Sequence, residues 1–220
     1  MDFSVNNKIS FTARNKTIRF ADDIARNVNK EFPRVSNSLI EGMDCVQSDK
    51  FFKLLINYSA LVGSLRYMQA VAFKTGRSFE DKLVGLINPI KKLRVGNCSE
   101  ASEISTFVAR VNGLENAQMR HLTTPDGDSY DHVVTYVPDK KPYIIDAWLG
   151  FADYVPNAIK RYQKEYARYF DFEGMGSSKI VCDEIKPGFS LVDFVNSKLT
   201  LDELETVKRT YPEMLLKNSK

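Results

Sequence analysis

The chain is poor in the residues on which several classes of function depend. Its 220 residues include three cysteines, two histidines and one tryptophan. Cys45, Cys98 and Cys182 lie far apart, with no CxxC pair and no Cys/His spacing suited to a metal, so neither a disulfide framework nor a structural zinc is expected. Charge of one sign is scarce as well. Thirty-one Lys and Arg against 28 Asp and Glu leave a formal +3, far from the excess of a phosphate-tracking protein, and nucleic acid is not an expected partner. Long hydrophobic runs are missing: the most apolar stretch, residues 60–73, is broken by Gly63, Ser64, Arg66 and Gln69, so no membrane span is expected. The first twenty residues contain no continuous apolar segment, which argues against a cleaved signal peptide. Neither GxxxxGK[ST] nor GxGxxG occurs, so a nucleotide site has no support.

What is present is an ordinary globular composition, 43% hydrophobic and 27% charged. The expectation is one catalytic domain over residues 1–220, with a mainly helical lead to residue 90 and a helix-plus-sheet core from residue 91. Apolar residues recur at three and four from Phe51 to Phe73, predicting a helix entered at Ser48-Asp49 and stopped at Gly76. Further helices are expected over 21–32, ended by Pro33, and over 78–87, limited by Pro89. From Ala117 the period changes. Short β-rich runs at 117–122, 132–137 and 143–148, separated by turn-forming residues 125–128 and 138–142, predict three antiparallel strands. A polar surface helix over 158–170, a strand at 179–182 and a closing helix over 201–216, capped by Thr200 with Glu203, complete an α+β class with helices packed on a small antiparallel sheet.

One segment concentrates chemical potential. In GNCSE at 96–100, Asn97 is a strong N-cap type and Glu100 stands where a capping-box carboxylate reaches back, so Cys98 becomes the first residue of a helix stopped at Asn112-Gly113. A thiol there faces backbone N–H groups and the positive end of the helix dipole, which favour thiolate. A thiolate needs a base, and the base needs an orienting partner. If the second hairpin pivots on Asp139, His132 lies directly opposite Asp146, within the 4.5–5.5 Å of a cross-strand pair. Cys98, His132 and Asp146 then form a complete set of nucleophile, base and orienting acid.

The alternatives are plainer. Cys98 is equally readable as a small buried hydrophobe. His121 faces His132 if the first hairpin pivots between Asp126 and Gly127, making it a rival base without an acidic partner. Asp131 is expected on the opposite sheet face, and Glu100 and Glu103 as helix-surface charges. Cys45 and Cys182 are expected to be structural and Trp148 to be core. Lys91, Lys92 and Arg94 read as a solvated charge run, and Gly96 as a point of close backbone approach. Asn97 and Gln69 are candidate second donors to an oxyanion.

Taken together, GNCSEA opening a helix, DHVVTYV at 131–137 and YIIDAW at 143–148 resemble the Cys-His-Asp core of the transglutaminase-like branch of papain-like thiol enzymes. The resemblance covers residues 96–150. It implies a papain-like core with Cys98 as nucleophile, His132 as base and later acid, and Asp146 as orienter, with no metal or organic cofactor. Ser99 stands where transglutaminases carry an aromatic residue, which points away from amine crosslinking. Val95 stands in place of a glycine of the arylamine N-acetyltransferases. The closest kind is the glutamine deamidases found among secreted bacterial effectors. The resemblance implies a protein substrate as partner, host proteins included, reached from the producer's cytoplasm or by secretion without a cleaved signal. Cysteine proteolysis by the same triad is the alternative activity, and a non-catalytic binding module the alternative class.

Overall fold

The computed structural model describes residues 16–34, 49–123, 129–165, 181–185 and 190–216. Among them are seven α-helices and five strands. Four helices come first: α1 (Lys16–Glu31), α2 (Asp49–Thr75), α3 (Phe79–Leu93) and α4 (Cys98–Val111). Then come β1 (Gln118–Thr123), β2 (Ser129–Val137), β3 (Tyr143–Asp146), β4 (Phe151–Tyr154) and α5 (Val155–Glu165). Strand β5 (Val181–Glu184), α6 (Ser190–Asn196), α7 (Leu201–Thr210) and a 3-10 turn at Pro212–Met214 close the described chain.

The sheet is antiparallel throughout, in the order β4-β3-β2-β1-β5, so an α+β class is observed. Its two faces alternate along each strand. On one face Met119, Val133, Val137, Tyr143 and Ile145 pack with α1 and α4 in the main core. On the other, Leu122, Val134 and Ile144 pack with Phe151, Ala158 and Tyr162. Helix α1 fits its place because Ile18, Ala21, Ile24, Ala25 and Val28 make one buried stripe. Its buried Asp22 accepts from the Ala152 N–H at 2.7 Å, tying α1 to β4.

Helix α4 is central. Every residue from Glu100 to Val111 is buried, not only one stripe. At its far end Arg110 donates to the carbonyls of Ala117, Val195, Asn196 and Ser197 at 2.6 to 3.2 Å, holding α6 against the start of β1. Burial lowers the Arg110 pKa to about 10.

Several expected boundaries move. Helix α3 does not stop before Pro89 but runs to Leu93, because Leu83, Leu86, Ile87 and Ile90 keep burying the same stripe. The carbonyl facing the proline belongs to Gly85, at the closest approach of α2: a Cβ there would lie 2.3 Å from the Ala72 Cβ. Helix α5 begins at Val155 and is no polar surface helix, since Ala158 and Tyr162 are fully buried. Residues 166–170, the 125–128 turn and the Ser48 cap lie outside the described residues. The closing helix keeps its Thr200–Glu203 capping box but ends at Thr210, ahead of Pro212. Strand β5 spans 181–184, which includes residues 181 and 182 of the expected 179–182 strand, residues 179 and 180 lying outside the described residues, while β4 and α6 were not expected at all. No helix among the described residues is long and apolar enough to cross a membrane.

Candidate active site

Helix α4 starts at Cys98, as the capping pattern predicts. Asn97 is extended, at φ −100° and ψ −161°, and its N–H donates to Glu100 Oε2 at 2.8 Å. Gly96 lets the chain pass: a Cβ on it would lie 3.0 Å from the Glu100 Cβ and 3.3 Å from the Arg34 Cδ. Cys98 itself is half-buried at the first helical position. The guanidinium groups of Arg34 and Arg66 lie within coulombic reach of it. Lys91 pairs with Glu213 at 2.5 Å and lies over the rings of Phe32 and Tyr211.

Glu100 and Glu103 are not surface charges. Glu100 is buried and paired with Arg66 at 2.9 Å. Glu103 is buried beneath α2 and accepts from Gln69 Nε2 at 3.1 Å. Burial, reinforced by repulsion from Glu100, raises its carboxyl well above the ordinary range. The expectation failed because α4 lies between α1 and the sheet while Arg66 and Gln69 of α2 reach its polar positions, so these also face protein. Gln69 spends its amide on Leu86 O and Glu103, which removes it as an oxyanion donor.

The base candidate and its acid meet by a different register from the expected one. Strands β2 and β3 pair Thr135 with Ile145, Tyr136 with Ile144 and Val137 with Tyr143, so the turn centres on Lys140 rather than Asp139. His132 is therefore not directly opposite Asp146 but diagonal to it. A shift of two residues preserves the face, and His132 Nε2 lies 2.7 Å from Asp146 Oδ2 with both side chains buried. Asp146 has three further donors: the Tyr162 hydroxyl at 2.9 Å on Oδ2, and the Trp148 and Leu149 N–H groups at 3.0 and 2.9 Å on Oδ1.

His132 also hydrogen-bonds with Cys98. With Nε2 on Asp146, Nδ1 is the ring nitrogen left to meet the sulfur. Burial of the imidazole disfavours its charge, yet the Asp146 carboxylate and the hydrogen bonds to Asp146 and Cys98 outweigh it, holding the His132 pKa above its ordinary value. The rings of Trp148 and Tyr162 stand against the imidazole, with centroids 5.2 and 5.6 Å away. Trp148 thus walls the site rather than serving the core alone.

A seam of buried hydroxyls sets the distance between the cysteine helix and the histidine strand. Ser102 Oγ donates to Val133 O at 2.8 Å, Thr106 and Thr135 hydroxyls meet at 3.0 Å, and Ser105 also meets Thr135. Polar groups buried between two elements fix their relative register, because sliding either element breaks all the bonds together.

His121 is excluded as a partner of this group. It pairs with Val133, while Leu122 pairs with His132, so the two histidines point to opposite faces. His121 lines a cavity of about 850 Å³ with Gln69, Ser99, Glu103, Met119 and Val133. Cys182 is half-buried, and burial pushes its thiol up to about 12. Cys45 and the side chain of Asp131 lie outside the described residues. Three residues went unnoticed in the sequence: Tyr162 on Asp146, Tyr58 on Asn97, and Arg34, which donates to Ala147 O at 3.0 Å. Each comes from an element remote in sequence, and no local pattern marks it.

The group thus comprises a sulfur at a helix start, an imidazole in reach of it, and a carboxylate fixing the ring. That order suits proton exchange between sulfur and ring during attack on a carbonyl. Among the described residues no three His, Cys, Asp or Glu side chains gather as a metal site. The chain matches no protein-family model, no curated protein and no solved structure.

Proposed function

We propose that the protein is a cysteine-dependent amidohydrolase that attacks side-chain amides of a protein substrate, glutamine above all, through a papain-like, transglutaminase-like site. The observation that carries this reading is His132 held between Asp146 and Cys98. The sulfur of Cys98 adds to the amide carbonyl, its lone pair forming a C–S bond while the π pair moves to oxygen. Collapse of that oxyanion expels nitrogen, which takes a proton from the His132 imidazolium and leaves as ammonia. A thioester remains. Water then gives a proton to His132 and attacks the thioester, releasing glutamate and restoring the sulfur, while Asp146 keeps the ring in one orientation. The resemblance to effector deamidases further suggests a substrate belonging to another cell.

Mass spectrometry of a glutamine-rich protein such as casein, incubated with the enzyme, tests the reading. Unbroken chains with Gln converted to Glu are expected, and Cys98→Ala abolishes conversion with little loss of stability. New chain termini would identify a protease instead. Conversion retained in Cys98→Ala would refute the assignment.

A further inference from the structure

The proposed reaction passes through an oxyanion, and a single backbone donor at Cys98 is a sparse cradle for it. The side chain immediately before Cys98 is held in a way that helix capping does not require. An N-cap asparagine ordinarily spends its oxygen on the amides of the first turn. Here Asn97 Oδ1 is shared with the hydroxyl of Tyr58, a buried side chain from α2. A phenol has one proton to donate, and giving it to Oδ1 fixes the plane of the amide. The two N–H bonds of Nδ2 are then directed away from Tyr58, and no described residue accepts from them. The backbone on the other side is fixed too, because the Asn97 N–H donates to Glu100, which Arg66 holds. Asn97, Cys98 and Ser99 are all half-buried, so a carbonyl can approach.

We infer that Asn97 Nδ2 is the second oxyanion donor of the site, and that Tyr58 is the positioning residue that aims it. The inference rests on the hydrolase reading. It extends that reading by naming which group, beside the Cys98 N–H, receives the negative charge when the carbonyl becomes tetrahedral. Amide chemistry suits this position, since Nδ2 donates without carrying a charge that would bind the sulfur instead.

Two reagents that differ only in whether an oxyanion forms make the test. Iodoacetamide alkylates the sulfur by displacing iodide, and no tetrahedral carbon arises. p-Nitrophenyl acetate acylates it: the sulfur adds to the ester carbonyl, the oxyanion collapses, and p-nitrophenolate leaves with the electron pair of the broken C–O bond. Alkylation and acylation rates at Cys98 are compared in wild type, Asn97→Ala, Asn97→Ser and Tyr58→Phe. Selective alkylation of Cys98 serves as the folding control, and Asn97→Ser retains a capping side chain if the alanine variant unfolds. The expected result is acylation slowed about 10²-fold in the Asn97 variants with alkylation unchanged, the low end of what one lost donor costs. Tyr58→Phe lowers the same ratio by a smaller factor. An unchanged ratio in both Asn97 variants would overturn the inference while leaving the nucleophile in place. If neither reagent singles out Cys98 in the wild-type protein, the hydrolase reading fails and the inference fails with it.

Discussion

Tyr162→Phe removes one oxygen and tests whether Asp146 is pinned as the site requires. The hydroxyl donates to Asp146 Oδ2 at 2.9 Å between two side chains that are essentially fully buried. Hydrogen bonds to a charged acceptor contribute about 1.5–3 kcal/mol net, so the variant should lose an amount in that range. The ring itself stays, with its contacts to Phe151 and His132 at 5.4 and 5.6 Å, and no sizeable cavity opens. Nor does Asp146 become an orphan: His132 and two backbone N–H groups still hold it, which keeps the loss below that of a stranded buried charge. For a chain of this length each kcal/mol moves Tm by about 2–4 °C, giving a fall of roughly 3–12 °C by calorimetry. Iodoacetamide labelling of Cys98 should persist, because the contact between His132 and Cys98 is untouched. A variant as stable as wild type would refute the reasoning, since it would mean that the carboxylate does not draw on Tyr162.

Other perturbations separate neighbouring residues. His132→Ala should slow Cys98 alkylation near neutral pH, whereas His121→Ala, on the opposite face, should leave the rate unchanged; equal effects would return His121 to the site. Arg110→Ala strands four buried or half-buried carbonyls and should cost at least about 3 kcal/mol in denaturant unfolding, since each unsatisfied group carries a penalty of its own. Glu103 has a raised native pKa, so the native state keeps a proton that the unfolded chain has released. Its effect is therefore a loss of stability as pH rises from the ordinary carboxylate value through the native one. Glu103→Gln keeps the polar shape, and should be more stable than wild type at neutral pH with the difference vanishing in acid; a constant difference at all pH values would refute the assignment.

Much of the fold was legible because periodicity follows burial. The 3.6-residue stripe of the first helices, the Thr200–Glu203 box and the switch to period two after Ala117 are consequences of which faces meet the core. The missed elements have no such imprint. Strand β4 is four residues, FADY, entered through Gly150 at φ +76°; its first two residues are both buried, so no alternation shows. Helix α6 is seven residues, held by Arg110 and by Asn196, whose side chain pairs with the Met119 backbone at 2.7 and 3.2 Å. Long-range bonds of that kind are invisible to any local window. Pro89 misled for the opposite reason, because a strong local breaker was overridden by a buried stripe that continued on both sides of it.

The site depended on parity, and here two similar errors had opposite consequences. The pivot of the second hairpin was misplaced by one residue, which shifts pairing by two and leaves His132 and Asp146 on one face. The pivot of the first was misplaced by half a residue, which shifts pairing by one and sends His121 away from His132. Side chains alternate with period two, so only the odd shift changes which groups meet. Residue identity carried the rest: β3 has one acid, Asp146, and β2 one histidine, so a same-face register brings those two together and no other pair. What identity does not encode is the outer support. Tyr58, Tyr162 and Arg34 reach the group from α2, α5 and the end of α1, and their partners are set by packing of helices whose contacts have no signature in the strands. A cysteine helix and a histidine strand can thus be found from sequence, while the residues that hold them to working distance emerge only from the assembled core.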